Sequence, residues 1–179
     1  ITIDSYTNKK IDLMVVPGIG SFKAVMEKLK EKNLDKFIIE KVNYNIPSLF
    51  ICVGMQILFT KSYEFGVTDG LNIFNGEVVK IPSKFKEKKL NIPFIGWNKL
   101  DYKKNCSVFK KENNNSFFYF THSFYVKPED ENIISTYTNY SDFSYCSTIS
   151  HNKIYASQFH PEKSGKEGLM IYENFINLL

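Results

Sequence analysis

The chain has 179 residues and a formal net charge of +4 at pH 7, with 43% hydrophobic and 23% charged residues. That length holds one domain, two at the outside, and that balance suits a globular protein and excludes a disordered one. All 23 basic side chains are lysine, which argues against nucleic-acid recognition, where bidentate contacts lean on arginine. No run of about eighteen apolar residues is present to span a membrane.

Residues 11–16 (IDLMVV) form a short apolar run that stops at Pro17-Gly18-Ile19-Gly20, the pattern of a buried strand ending in a turn. From Ser21 the period changes. Phe22, Val25, Met26 and Leu29 recur at helical spacing with Ser21 as N-cap. A second helical stretch near residues 34–42 carries Phe37, Ile38 and Val42 on one side. Pro47 opens another apolar run, 48–53, followed at once by Gly54 and a helix-like MQILF. Strand, helix, strand, helix at this spacing predicts a parallel sheet with helices on its faces.

Between residues 76 and 138 the segments shorten. GEVVKI, IPFIGW, SFFYFTH and NIISTYT read as strands, some antiparallel, separated by Asn- and Lys-rich turns. Residues 80–111 hold ten of the 23 lysines, KFKEKK among them, as a solvated loop or edge strand would. Residues 153–159 give one more strand, and 168–179 a closing amphipathic helix with Leu169, Tyr172, Phe175 and Ile176. The fold class is therefore α/β: an open, mostly parallel sheet with helices on both faces plus additional antiparallel strands. Cys52, Cys106 and Cys146 are odd in number and widely spaced, so they form neither a disulfide framework nor a zinc pair. A reducing, cytoplasmic setting is the default expectation.

Three segments can carry chemistry. Cys52, in FICVGMQ, sits where a buried strand meets a helix, which exposes its sulfur above the sheet edge and turns helix amides toward it. That position predicts a lowered thiol pKa and makes the Val53 N–H an oxyanion donor, with Gly54 giving room for the bend. A small core cysteine is the alternative. In Gln158-Phe159-His160-Pro161-Glu162, extended alternation puts His160 and Glu162 on one side, with Pro161 stiffening the backbone. The carboxylate can then orient the imidazole as a base; an exposed His beside an exposed Glu is the competing reading. His122 and His151 compete for the base role without a carboxylate two places on. Third, the glycines of PGIG let backbone N–H groups turn toward a ligand.

The order of these segments resembles that of the class I glutamine amidotransferases. Within them the resemblance is nearest to the glutaminase subunit of imidazole glycerol phosphate synthase, through PGIG, CVGMQ, Ser62 with Glu64, GWN at 96–98, FYFTHSF at 118–124 and QFHPEKSG at 158–165. It covers nearly the whole chain. It implies a Cys52, His160, Glu162 triad that hydrolyses glutamine to glutamate and ammonia, with Gly18, Ile19 and Val53 forming the oxyanion hole. It also implies glutamine contacts from Gln56, Glu64, His122 and Ser123, although Gln56 also reads as a helix-surface residue. It implies docking, as a heterodimer, on a (β/α)₈ cyclase that receives the ammonia for histidine biosynthesis, through Trp97, Asn98 and Lys163. Trp97 also reads as a core residue, and alternation aims Lys163 away from the triad side. No cofactor or metal is implied.

The sequence departs from the family at Phe50, where a glycine usually lies two before the nucleophile, at Tyr63 before Glu64, and at Phe124 after His-Ser. These departures leave open a paralogue supplying ammonia to an enzyme that modifies surface sugars, or a non-catalytic, partner-binding subunit. Ile1-Thr2-Ile3 resembles the family's second strand, so the expectation is a single glutaminase domain over 1–179 lacking its first strand and helix.

Overall fold

A computed structural model describes residues 10–110 and 116–179, so the strand expected at Ile1-Thr2-Ile3 lies outside the described residues. The first half runs β1 (Met14–Gly18), α1 (Phe22–Glu31), α2 (Leu34–Asn43), β2 (Ser48–Cys52), α3 (Val53–Gln56), β3 (Phe59–Ser62), β4 (Thr68–Asp69) and β5 (Phe74–Lys80). Then come β6 (Lys84–Phe85), β7 (Lys88–Lys89), β8 (Phe94–Asn98), β9 (Asp101–Tyr102), β10 (Phe118–His122) and β11 (Phe124–Pro128). The chain closes with β12 (Ile134–Tyr140), β13 (Phe143–His151), β14 (Ile154–Ser157) and α4 (Gly165–Ile176).

The continuous apolar run SLFIC becomes a strand buried at every position, β2, because it has a parallel neighbour on each side: β1 and β14. α1 and α2 form the crossover between β1 and β2. The Ser21 hydroxyl caps α1 by accepting the Ala24 N–H at 3.3 Å, and Phe22, Met26 and Leu29 form its buried stripe. At the other end of the chain, Phe175 of α4 meets Tyr155 of β14 edge-on at 6.1 Å.

The six-stranded sheet has the order β1-β2-β14-β13-β12-β9 and is parallel only over its first three strands. Among the described residues, three of its five strand pairings are antiparallel, more than the sequence predicts. The cause is local: residues 141–142 and 152–153 are the whole connections from β12 to β13 and from β13 to β14. Two residues can join only antiparallel strands, and Ser141 and Asn152 supply the positive φ, 58° and 52°, that such tight turns require. A four-stranded sheet, β11-β5-β3-β4, and the β8–β10 pair complete the middle of the chain. KFKEKK is the exposed β6–β7 hairpin, with Lys88 paired to Asp142 at 3.1 Å.

The helix predicted through MQILF stops at Gln56 after a single turn. The Ile57 and Leu58 carbonyls accept the Leu71 N–H at 2.7 Å and the Ile73 N–H at 2.9 Å rather than continuing the helical ladder. The chain therefore turns into β3 instead. No helix among the described residues is long and apolar enough to cross a membrane.

The parallel trio ends at Gly18, Cys52 and Ser157. Whatever follows these strands is gathered at one edge of the sheet, where open α/β sheets place their ligands. All three chemistry-bearing segments follow them.

Candidate active site

Cys52 adopts φ 54° and ψ −111°, a conformation that non-glycine residues avoid and that survives only where surroundings dictate it. Two glycines dictate it here. A Cβ on Gly54 would collide with the Val16 carbonyl oxygen, and one on Gly18 would collide with the Gly54 backbone nitrogen. The end of β1 therefore presses directly against the elbow. Phe50 does not prevent this packing; its ring is wholly buried in the core.

The predicted lowering of the thiol pKa is reversed. Burial pushes the Cys52 thiol up to about 12, outweighing the Val53 N–H that favours thiolate, while Glu162 adds to the rise. The following helix is only four residues long, so its N-terminal field is weak against the desolvation of a residue that is 5% exposed. At rest the sulfur carries its proton, and reaction requires a base.

The turn after β14 presents a candidate base. His160 Nδ1 lies 2.7 Å from Glu162 Oε1, so Nδ1–H donates to the carboxylate and the Nε2 lone pair is left to accept a proton. The backbone is not extended, as alternation supposed. Pro161 opens a short 3₁₀ turn over Pro161–Lys163, since its fixed φ fits a first helical position as well as a strand. The turn brings Glu162 back to His160. It also brings Lys163 to line the same cleft as Cys52, contrary to the orientation predicted by alternation. β10 holds the turn: the His160 N–H donates to Tyr119 O at 2.9 Å, and the Tyr119 N–H to Ser164 Oγ at 2.9 Å. The Ser164 hydroxyl in turn donates to His160 O at 2.6 Å.

Between elbow and turn lies a cleft of about 300 Å³ lined by Cys52, His160, Gly18, Ile19, Val53, Gln56, Glu64, His122, Ser123 and Lys163. Glu162, Trp97 and Asn98 lie outside it. Glu64 accepts the Phe22 N–H at 2.6 Å, tying the start of α1 to the cleft wall. Gln56 uses both amide hydrogens internally, toward Phe124 O at 3.0 Å and Gln158 Oε1 at 3.1 Å, leaving its carbonyl oxygen for a ligand.

The competing histidines separate cleanly. His122 is neutral, its pKa driven down to about 4 by burial. Both its nitrogens are occupied, Nδ1 by Phe124 O at 2.9 Å and Nε2 by the Tyr145 hydroxyl at 3.2 Å. His151 pairs with Ile154 at the start of β14, so it lies at the far end of the sheet from Cys52. Trp97 is 53% exposed and meets Tyr119 edge-on at 5.7 Å, so it is not a core residue. Lys163 Nζ lies 5.9 Å over the same Tyr119 ring, and Asn98 donates to Asn139 O at 2.8 Å. Sequence reasoning gave Gln158 no role, yet its Nε2 lies 3.6 Å from Cys52 Sγ. Its one sequence signal is a polar residue inside the apolar run that leads to His160.

The model of the family described as glutamine amidotransferase class-I matches residues 2–178. The chain is 43% identical over 178 residues to imidazole glycerol phosphate synthase subunit HisH of Pyrococcus furiosus, covering 99% of this chain and 88% of that one. It is 41% identical to the protein of the same name from Aquifex aeolicus, covering 98% and 82%. Among solved structures, PurLQS from Thermotoga maritima shares the fold with TM-score 0.65 at 16% identity, covering 96% of this chain and 82% of that one. A glutamine amidotransferase from the same organism matches with TM-score 0.60 at 16% identity, covering 98% and 69%. On the family match and the identities to its relatives, the chain belongs to the class I glutamine amidotransferases.

Proposed function

We propose that this chain is the glutaminase subunit of an imidazole glycerol phosphate synthase, hydrolysing L-glutamine to L-glutamate and ammonia in the cytoplasm. The observation that carries the reading is the junction, on one cleft, of a strained cysteine elbow and a histidine whose Nδ1 is fixed by a carboxylate. His160 Nε2 takes the Cys52 proton, and the thiolate attacks the amide carbon. Backbone N–H groups of Val53 and the Gly18–Ile19 turn stabilise the oxyanion, each donor contributing roughly 100- to 1,000-fold in rate. His160 returns the proton to the amide nitrogen and ammonia leaves. Water, deprotonated by His160, then cleaves the thioester, releasing glutamate and restoring the thiol. Glu162 stabilises the imidazolium in each half.

Glu64 and the Gln56 carbonyl are suited to the substrate's ammonium group, and Ser123 to its carboxylate end. The ammonia passes to a (β/α)₈ cyclase; that the relatives are named as subunits of a synthase supports a partner. The exposed Trp97, beside Tyr119 and Lys163 near the cleft, supports a heterodimer docked on that side. The test is Cys52→Ala assayed with the cyclase. Glutamine-dependent synthesis should vanish while synthesis from added ammonia survives; loss of both would favour a purely structural role.

A further inference from the structure

We infer that Gln158 is a positioning residue for the nucleophile: its amide N–H holds the Cys52 sulfur and stabilises it as thiolate, in an orientation imposed by Gln56. The Phe124 carbonyl can only accept. It lies 2.9 Å from His122 Nδ1 and 3.0 Å from Gln56 Nε2, so both of those nitrogens carry hydrogens toward it. The second hydrogen on Gln56 Nε2 points at Gln158 Oε1, 3.1 Å away. With its oxygen held there, Gln158 must present its nitrogen to Cys52 Sγ, at 3.6 Å. Turning the Gln158 amide over would set two nitrogens face to face and an oxygen against the sulfur. At the other end of the network the Tyr145 hydroxyl donates to His122 Nε2 at 3.2 Å, which agrees with the proton on Nδ1. Every donor direction from Tyr145 to Cys52 follows from that one carbonyl.

Burial makes the arrangement consequential. Gln158 is wholly buried and Gln56 nearly so, so bulk water does not replace a lost partner. A thiol accepts weakly and a thiolate strongly. The bond therefore tightens as the proton moves to His160, when the charges of Glu162 and Glu64 oppose thiolate formation. Its use in glutamine hydrolysis rests on the reading proposed above, but the hydrogen bond can be measured without glutamine.

The test is alkylation of Cys52 by iodoacetamide in the complete protein at one fixed, mildly alkaline pH, followed at the Cys52 peptide so that Cys106 and Cys146 are counted apart. Gln158→Met keeps the side chain's length and removes the donor. Loss of the bond should cut the thiolate fraction roughly tenfold. The more basic thiolate is also more nucleophilic, so the alkylation rate should fall about three- to fivefold. Gln56→Met, which frees the Gln158 amide, should slow alkylation by less. An unchanged alkylation rate in folded Gln158→Met overturns the inference. Should that variant not fold, the Gln158 side-chain amide resonances decide it: they should move between the parent protein and Cys52→Ala, and coincident signals overturn the proposal. Failure of the glutaminase reading would appear separately, as a Cys52 that a glutamine analogue does not label.

Discussion

The elbow carrying Cys52 and the turn carrying His160 and Glu162 follow adjacent parallel strands, β2 and β14, yet they are held by different forces. The elbow is fixed sterically. Gly18 and Gly54 let backbone press on backbone, and Cys52 keeps a costly conformation because no neighbour can retreat. The turn is fixed by polar contacts: two bonds to β10, one from Ser164 to His160 O, and the Nδ1–carboxylate pair, with the Glu162 side chain 41% exposed. Substitutions in the first region should therefore damage structure and chemistry together. In the second they should alter chemistry and leave stability nearly intact.

The largest effect is expected where the steric lock is broken. Gly54→Ala sets a methyl group against the Val16 carbonyl and should cost about 1–3 kcal/mol of stability, with glutamine hydrolysis falling at least about a hundredfold because the elbow is displaced. Denaturant melts and initial rates measured on one preparation check both. An unstrained, fully active variant would show that the contact is not what holds Cys52.

Next comes the polar side. Glu162→Gln keeps a hydrogen-bond acceptor for His160 but no charge to stabilise the imidazolium, so hydrolysis should fall about ten- to a hundredfold. Stability should stay within about 0.5 kcal/mol because the carboxylate is partly solvated. A loss of stability matching the loss of rate would erase the contrast between the regions.

The smallest effect on chemistry, and the one most specific to pH, is expected at His122. Folded, it stays neutral down to about pH 4, whereas the unfolded chain protonates it near its ordinary pKa of about 6.5. The unfolded state thus binds the extra proton between these values. His122's neutral-state contribution is complete above about pH 6.5 and is lost progressively as pH falls toward 4, by about 3 kcal/mol in all. His122→Asn can still donate to Phe124 O and accept from Tyr145, and it should flatten this slope in denaturant melts. An unaltered slope would place the acid sensitivity elsewhere.

Much of this was legible in the sequence, and the rest fails for identifiable reasons. The strand-then-turn patterns at PGIG and CVGMQ, and the adjacency of His160 and Glu162, put the main groups on one sheet edge because strand ends and glycines are local signals. Pro161 misled, because its φ suits both an extended chain and a 3₁₀ turn, and Lys163 therefore lines the cleft. The thiol's raised pKa was hidden because it depends on burial by distant residues. Gln158 was hidden for the same reason, since only the fold brings its amide to Cys52 and Gln56.

The central claim is that Cys52 attacks the glutamine amide carbon. It is tested most directly by treating the protein, with its cyclase partner present, with a diazoketone analogue of glutamine and locating the adduct by peptide mass spectrometry. One adduct is expected, on Cys52, lost in Cys52→Ala and slowed by excess glutamine. An unlabelled Cys52, or label on Cys106 or Cys146 instead, would contradict that claim.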